Sequence, residues 1–181
     1  MPASEPAAAS TRAMVPTTAD GTGAIAAELG ATVIQTPALP SDWFGKQWAC
    51  WTGKARARGE ILCFTDADTV HAPDLHVRSV RALLERRADL LSVAGMQELG
   101  TFWERLVQPQ VFALLFARYG GSEIVSRAKR PEDVIANGQY MLFQRSSYEA
   151  LGGHASVRGK VAEDLALAMR AKQHGMQVHI I

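Results

Sequence analysis

The chain has 181 residues, of which 48% are hydrophobic and 20% charged, a composition typical of one globular domain with enough apolar material for a packed core. Its formal net charge of +1 gives no strong field that would favour nucleic acid as a partner. No stretch reaches the roughly 18 apolar residues of a membrane-spanning helix, and two cysteines are too few for a disulfide framework, which fits a cytoplasmic, reducing location.

Residues 1–19 are rich in Ala, Pro, Ser and Thr and show almost no apolar periodicity. A segment of this composition cannot bury enough surface to offset its ordering entropy. We therefore interpret it as a disordered or non-domain segment and expect the folded domain at residues 20–181.

From Asp20 onward, predicted helices and strands alternate. Asp20 is suited to cap a short helix that Gly30 ends, and Pro73 opens a third helix. Strands that alternate with helices predict an α/β fold with a mostly parallel sheet flanked by helices. The predicted strands cover residues 31–35, 60–65, 90–94, 139–143 and 176–181, and further helices cover residues 45–58 and 163–174.

Two local features of the helices can be predicted as well. The third helix carries Val77, Val80 and Leu84 on one face, which should pack on the core. Ser146 and Glu149 have the spacing of a capping box at the start of a short helix.

Residues 101–119 break the alternation, because they form a long aromatic and aliphatic segment that predicts an amphipathic helix. We favour a helix that packs on the core. The other interpretation, which stays open, is a helix that lies on a membrane or lines an acceptor groove. Residues 120–133 are polar and predict a loop.

Two carboxylates, Asp66 and Asp68, directly follow the apolar strand at residues 60–65, whose sequence suits burial on both faces. The C-terminal ends of parallel strands form the ligand crevice of such a sheet, and alternation along a strand would point both side chains the same way. Like charges at close range favour a bound cation, and hard oxygen ligands suit Mg²⁺ or Mn²⁺, with a diphosphate as the source of further ligands. An exposed polar turn is the competing interpretation.

A second acidic pair, Glu163 and Asp164, opens the last predicted helix. Acidic residues stabilise the positive end of a helix dipole, and this structural explanation is preferred on these residues alone. The functional alternative is a general base that accepts the proton of an attacking hydroxyl group.

Five segments between residues 20 and 181 combine glycine, aromatic and acidic residues in a specific order. They are Asp20-Gly21-Thr22; Gly45-Lys46-Gln47-Trp48-Ala49; Phe64-Thr65-Asp66-Ala67-Asp68-Thr69; Asn137-Gly138-Gln139-Tyr140-Met141-Leu142-Phe143; and Gly152-Gly153-His154 followed by Glu163-Asp164-Leu165-Ala166-Leu167. Together they resemble family 2 glycosyltransferases of the GT-A fold, and the subgroup is similar to membrane glycosyltransferases associated with hopanoid and carotenoid pathways.

This resemblance implies a GT-A fold and an inverting transfer of a sugar from a nucleotide-sugar donor to a hydroxyl acceptor. Asp68 would bind the Mn²⁺ or Mg²⁺ that neutralises the donor diphosphate, and Asp66 would contact the ribose or the metal shell. Asp164 would be the catalytic base with Glu163 in support, and Lys46 would lie near the nucleotide as a point charge. The subgroup also suggests a lipid-like acceptor and contact with the inner face of the membrane.

The sequence departs from the family pattern at both ends. No strand that ends in two aspartates precedes Asp20, so the first strands are predicted to be missing, and the chain ends before a Q-x-x-R-W motif and hydrophobic C-terminal helices. Two other functions therefore stay open. One is a non-catalytic nucleotide-sugar-binding remnant, and the other is a haloacid-dehalogenase-like phosphatase with Asp66 as nucleophile and Asp68 as acid and base.

Overall fold

The structure, a computed structural model, describes residues 14–16 and 21–181. All strands and helices predicted after residue 21 are present, with ends shifted by a few residues. The strands are β1 (Met14–Pro16), β2 (Thr32–Ile34), β3 (Ile61–Thr65), β4 (Leu90–Ser92), β5 (Tyr140–Gln144) and β6 (Val178–Ile180). The helices are α1 (Thr22–Glu28), α2 (Gly45–Arg56), α3 (Leu75–Glu85), α4 (Phe102–Tyr119), α5 (Ser122–Arg127), α6 (Arg145–Ala150) and α7 (Glu163–Gln173).

Strand β1 lies inside the segment that was predicted to be outside the domain. It pairs in parallel with β2, with Val15 opposite Val33, so residues 14–16 are part of the fold. Three residues that include a proline show no strand periodicity of their own, and their pairing partner lies beyond α1. The rest of residues 1–19 and the predicted cap Asp20 lie outside the described residues, so the domain boundary stays a prediction.

The larger sheet has the strand order β3-β5-β4-β6. Strands β3, β4 and β6 run in one direction, and β5 runs antiparallel to both of its neighbours. The predicted α/β class with a largely parallel sheet is confirmed, with β5 as the reversed strand. Because of this reversal, the C-terminal end of β3 lies beside the start of β5, with Thr65 opposite Tyr140.

The prediction that the strand at residues 60–65 is buried on both faces is wrong. Leu62 is buried, whereas Cys63 and Thr65 are exposed. Among the described strands β3 pairs with β5 alone, so it is an edge strand of this sheet, and its apolar sequence did not reveal that position.

Alternate residues of β5 supply the two sides of the core. Met141 and Phe143 pack with α5, α6 and α7, while Tyr140 and Leu142 pack with α3. The helices on both sides of this central strand therefore hold it, and the loop that precedes it, in a fixed position.

The buried face of α3 agrees with the predicted one only at Val80, which packs against the core. Ser79 and Leu83 are buried, whereas Val77 and Leu84 are exposed. A serine is tolerated in the core here because its hydroxyl lies 3.0 Å from the Tyr140 hydroxyl, within hydrogen-bond distance. Apolar periodicity misses such a position because it counts a buried serine as polar.

The prediction of a loop at residues 120–133 is wrong, because they contain α5 and a 3₁₀ turn at Pro131–Asp133.

The predicted capping box at Ser146 and Glu149 is also wrong, since α6 begins one residue before Ser146, without a side-chain cap. A capping box forms instead at the start of α4. There the Glu104 N–H donates to Thr101 Oγ1 at 3.2 Å, and the Thr101 N–H donates to Glu104 Oε2 at 2.7 Å.

None of the 18 residues of α4 is buried. Trp103, Leu114 and Phe116 are 68%, 70% and 67% exposed. The favoured interpretation of this helix as a core element is therefore wrong for the described part of the chain, and its alternative, a surface helix, stays a prediction. Among all the described residues, no helix combines the length and the hydrophobicity that a membrane-spanning helix needs.

Candidate active site

The residues that follow β3 meet the loop before β5, because the two strands are antiparallel. The Asp66 N–H donates to the Gln139 carbonyl at 3.1 Å. The loop at residues 137–139 is fixed in turn by Ser92 of β4, whose hydroxyl accepts a hydrogen bond from the Asn137 N–H at 2.7 Å. The first acidic pair and this loop therefore share one edge of the sheet.

Asp66 and Asp68 lie in a turn beyond β3 rather than on the strand itself. Thr69 closes this turn, since its hydroxyl donates to the Asp66 carbonyl at 2.8 Å. Asp66 is half-buried, whereas Asp68 is exposed and has no hydrogen bond or ion pair with other described residues. The alternation argument, which assumed an unbroken strand, does not apply to this pair.

Lys46, the second residue of α2, joins the two acidic pairs. Its Nζ lies 2.6 Å from Asp66 Oδ1 and 3.1 Å from Glu163 Oε1. Partial burial disfavours the ammonium ion, but the hydrogen bonds and charges of the two carboxylates outweigh that cost and raise the pKa of Lys46. Lys46 is therefore a permanent cation between the end of β3 and the start of α7.

Glu163 and Asp164 occupy the first turn of α7. Glu163 is buried and faces Lys46. Asp164 is half-buried, and each of its carboxylate oxygens accepts one backbone N–H: Oδ2 from Gly138 at 2.9 Å and Oδ1 from Leu165 at 2.7 Å. These two bonds fix the carboxylate and leave lone-pair capacity on both oxygens for an incoming proton.

Gly138 is a point of close approach between the functional groups. A Cβ atom at this position would lie 3.1 Å from both Asp164 Oδ2 and Lys46 Nζ. The space that any other residue would fill is thus occupied by a carboxylate and an ammonium group. We call Lys46, Asp66, Gly138, Glu163 and Asp164 the Lys46 cluster.

A buried layer behind this cluster was not assigned a role from the sequence. Burial raises the pKa of Cys50 to about 12 and, with the charge of Lys46, lowers the pKa of His154 to about 4, so both are neutral near pH 7. His154 Nδ1 lies 2.6 Å from the Tyr148 hydroxyl. A Cβ at Gly153 would lie 2.4 Å from the Tyr148 ring, and Gly153 has a φ of +51°. The pair of glycines before His154 was the available signal for this tight packing.

Metal ligands are few in the described residues, where no group of three or more His, Cys, Asp or Glu side chains could hold an ion. Two carboxylates that follow a strand still fit a magnesium-like ion, because such ions take one or two protein carboxylates and draw further ligands from phosphates and water.

A separate cavity of about 400 Å³ lies beside Arg118, Tyr119 and Arg127, and none of the cluster residues lines it.

Comparison with known families gives a match that spans nearly the whole chain. The model described as glycosyltransferase-like family 2 matches residues 10–181. Among curated proteins, the 4,4'-diaponeurosporenoate glycosyltransferase of Staphylococcus aureus (strain MRSA252) is 27% identical over 167 residues, which is 89% of this chain and 43% of that protein.

Solved structures show the same fold. A mannosyltransferase from Pyrobaculum calidifontis, in complex with GDP-Man and Mn²⁺, has a TM-score of 0.62 at 21% identity over 94% of this chain and 47% of its own. Glucosyl-3-phosphoglycerate synthase from Mycobacterium tuberculosis, in complex with UDP, has a TM-score of 0.52 at 18% identity over 92% and 56% of the two chains. The predicted GT-A class is confirmed, and the chain spans about half the length of these relatives.

Proposed function

The chain belongs to the glycosyltransferase-like family 2, and from this premise we propose that it transfers a sugar from a nucleoside diphosphate sugar to an acceptor hydroxyl group, with inversion at the anomeric carbon. The Lys46 cluster carries this proposal, because it brings the two predicted acidic pairs to one edge of the sheet with a lysine between them. The family match contradicts the phosphatase interpretation of Asp66.

The donor would lie at the turn that holds Asp66 and Asp68. Asp68 is exposed and has no described partner, so its carboxylate is available to a Mn²⁺ or Mg²⁺ ion, and Asp66 lies next to it with one oxygen on Lys46. When bound, such an ion stabilises the negative charge that develops on the leaving diphosphate. The relatives solved with GDP-Man and Mn²⁺ or with UDP support this chemistry, while their low identity leaves the sugar and the base of the donor open.

The acceptor hydroxyl would meet Asp164. An inverting transfer is a single displacement, in which the hydroxyl oxygen bonds to the anomeric carbon as the bond to the diphosphate oxygen breaks and the hydroxyl proton passes to a base. Asp164 is suited to this role because its orientation is set by the N–H groups of Gly138 and Leu165. Glu163 already faces the Lys46 ammonium, so it supports the site rather than accepting the proton.

Calorimetry with UDP or GDP in the presence of Mn²⁺ tests the donor site. Asp68→Ala should abolish Mn²⁺-dependent nucleotide binding and leave the thermal stability unchanged, because Asp68 has no partner among the described residues. Asp74→Ala is the matched control, since Asp74 is exposed and forms a surface ion pair with Arg78 at 3.6 Å. Equal binding by wild type and Asp68→Ala would refute the metal assignment. A wild-type protein that binds nucleotide and Mn²⁺ but turns over no sugar donor would instead be the non-catalytic remnant.

A lipid-like acceptor and a location at the inner membrane face form the finer part of this proposal. Helix α4 exposes an apolar surface without charged residues between Arg105 and Arg118 and has aromatic residues near both ends, which are side chains suited to contact lipid at a membrane interface. Gln97 donates to Gln139 beside the cluster at 2.9 Å. Phe102 lies five positions after Gln97 in the chain, so α4 begins within roughly 18 Å of this contact even at full extension.

Flotation with anionic vesicles at low salt tests the membrane contact. The wild-type chain should float with the vesicles, and Trp103→Ser combined with Phe112→Ser should remain in the soluble fraction. Leu29→Ser is the control, because Leu29 is an apolar residue that is 83% exposed outside α4. If wild type does not associate, α4 does not bind membranes and the lipid-like acceptor loses its main support.

A further inference from the structure

Lys46 makes a direct ion pair with Asp66, in addition to its proposed place near the nucleotide. Its ammonium lies 2.6 Å from Asp66 Oδ1, a short charge-assisted contact. This oxygen belongs to the acidic pair proposed to face a divalent ion. A cation that belongs to the protein therefore already contacts one oxygen of that pair.

The surroundings of Lys46 strengthen this arrangement. Glu163 holds the same ammonium from the other side at 3.1 Å and is itself buried. Cys50 and His154 behind it are neutral near pH 7, so they do not offset the carboxylates. Removal of the ammonium would leave Asp66 and Glu163 without their counter-ion, and a divalent ion that approaches Asp66 meets a positive charge at close range.

The ammonium also has a way to leave Asp66 without a change in the fold. The Lys46 side chain is 44% exposed and ends a flexible four-carbon stem with three hydrogen-bond donors. A diphosphate offers several oxygens as replacement partners. Once Lys46 turns to a phosphate, both oxygens of Asp66 become available to an ion.

We propose that Lys46 is a positioning residue that holds Asp66 in the nucleotide-free protein and thereby makes divalent-metal binding depend on a diphosphate. This inference rests on the proposed donor site at Asp66 and Asp68. Metal alone binds weakly because it must compete with the ammonium. Metal and nucleoside diphosphate bind cooperatively, because the diphosphate draws the ammonium away from Asp66 and the metal takes its place there. This coupling is reciprocal, so each ligand raises the affinity for the other by the same factor.

The test measures Mn²⁺ binding from the electron paramagnetic resonance signal of free Mn²⁺, without nucleotide and with saturating UDP or GDP, corrected for Mn²⁺–nucleotide complexes in buffer. Lys46→Met keeps most of the length of the unbranched side chain and removes the charge. It should bind Mn²⁺ alone about fivefold more tightly than wild type, and the factor by which nucleotide tightens Mn²⁺ binding should fall by a similar amount. Lys46→Arg keeps the charge and should behave like wild type.

Lys54→Met is the matched control, because Lys54 lies on the same helix and pairs with Glu149 at 2.8 Å, away from the cluster. Lys46→Gln repeats the neutral substitution should Lys46→Met fail to fold. If wild type binds Mn²⁺ with nucleotide but the neutral variants bind Mn²⁺ alone no more tightly, the inference is wrong and the proposed function stands. If wild type binds no Mn²⁺ with either nucleotide, both are wrong.

Discussion

The Lys46 cluster and helix α4 place opposite chemistry on the surface of one small domain. In the cluster, Lys46, Asp66, Glu163 and Asp164 all have partners within 3.1 Å, and these side chains come from α2, the turn after β3 and the first turn of α7. Helix α4 carries an apolar surface with no buried residue, and it is tied to the rest of the chain at its C-terminal end, where Arg118 pairs with Asp133 and Tyr119 packs against the core. The chain itself thus provides partners for the charged groups of the cluster, whereas most of the apolar surface of α4 has no covering partner among the described residues.

The largest effect is expected at the proposed base. Asp164→Asn keeps the shape of the side chain and an oxygen for the Gly138 N–H but removes the basicity. Loss of a general base should lower kcat by about 10²–10⁴-fold, while binding of nucleotide and Mn²⁺ stays nearly unchanged. Release of nucleoside diphosphate from a panel of UDP- and GDP-sugars measures the rate.

Glu163→Gln is the matched control for this prediction, because it changes the neighbouring carboxylate in the same way. We expect a smaller loss of kcat, since Glu163 acts through Lys46. Turnover of Asp164→Asn within about threefold of wild type would be far too small a loss for a missing base, and Asp164 would then only stabilise the start of α7.

The buried layer behind the cluster should make stability depend on pH. His154 has a pKa of about 4 in the folded protein and near 6.5 in the unfolded chain, so the unfolded chain binds more protons between these values. The free energy of unfolding should therefore fall as the pH decreases from about 6.5 to about 4, by up to about 3 kcal/mol. Urea unfolding at several pH values measures this loss.

His154→Gln should flatten that part of the pH profile, although its stability at pH 7 will be lower because the contact with Tyr148 changes. His174→Gln is the control, because it replaces an exposed histidine at the end of α7, outside the buried layer. A His154→Gln profile as steep as that of wild type would assign the acid sensitivity to other groups.

Gly138→Ala tests how closely the cluster is packed. The new Cβ would lie 3.1 Å from Asp164 Oδ2 and Lys46 Nζ and 3.3 Å from Asp164 Cβ, so both side chains must shift slightly, and their flexible ends can do so at little cost in stability. Such a shift misplaces the base and the lysine, so we expect kcat to fall about tenfold, or roughly 1.4 kcal/mol of barrier, with a melting temperature close to wild type. Gly53→Ala, where a Cβ meets no atom within 4 Å, should leave kcat unchanged.

Apart from β1 and α5, the sequence predicted the described strands and helices and the acidic residues of the cluster, because periodicity and local motifs are properties of neighbouring residues. It did not predict which atoms meet. The Lys46 contacts depend on the reversed direction of β5 and on the placement of α2 and α7, and the role of Gly138 follows only from those contacts. Burial was predicted least well, as Ser79, Cys63 and α4 show, because the sequence pattern does not reveal whether another part of the fold covers a given side chain.

The smallest effect is expected for a substitution in α4, where the loss of stability shows directly whether this helix is packed within the chain. Phe116 is 67% exposed, whereas Phe143 is fully buried in β5. Phe143→Ala should cost about 3–5 kcal/mol of stability because it leaves a cavity. Phe116→Ala removes the same atoms from a side chain that faces solvent and should change stability by no more than about 0.5 kcal/mol.

Urea unfolding at two protein concentrations measures both variants and also reveals association between copies. A loss of about 2 kcal/mol or more for Phe116→Ala at low concentration would mean that α4 is packed within the chain in solution. The surface proposed to meet a lipid would then be part of the core, and the membrane proposal would fail with it. A negligible loss together with vesicle binding would instead show an apolar helix that contributes little to folding, so its aromatic residues would be explained by what they bind.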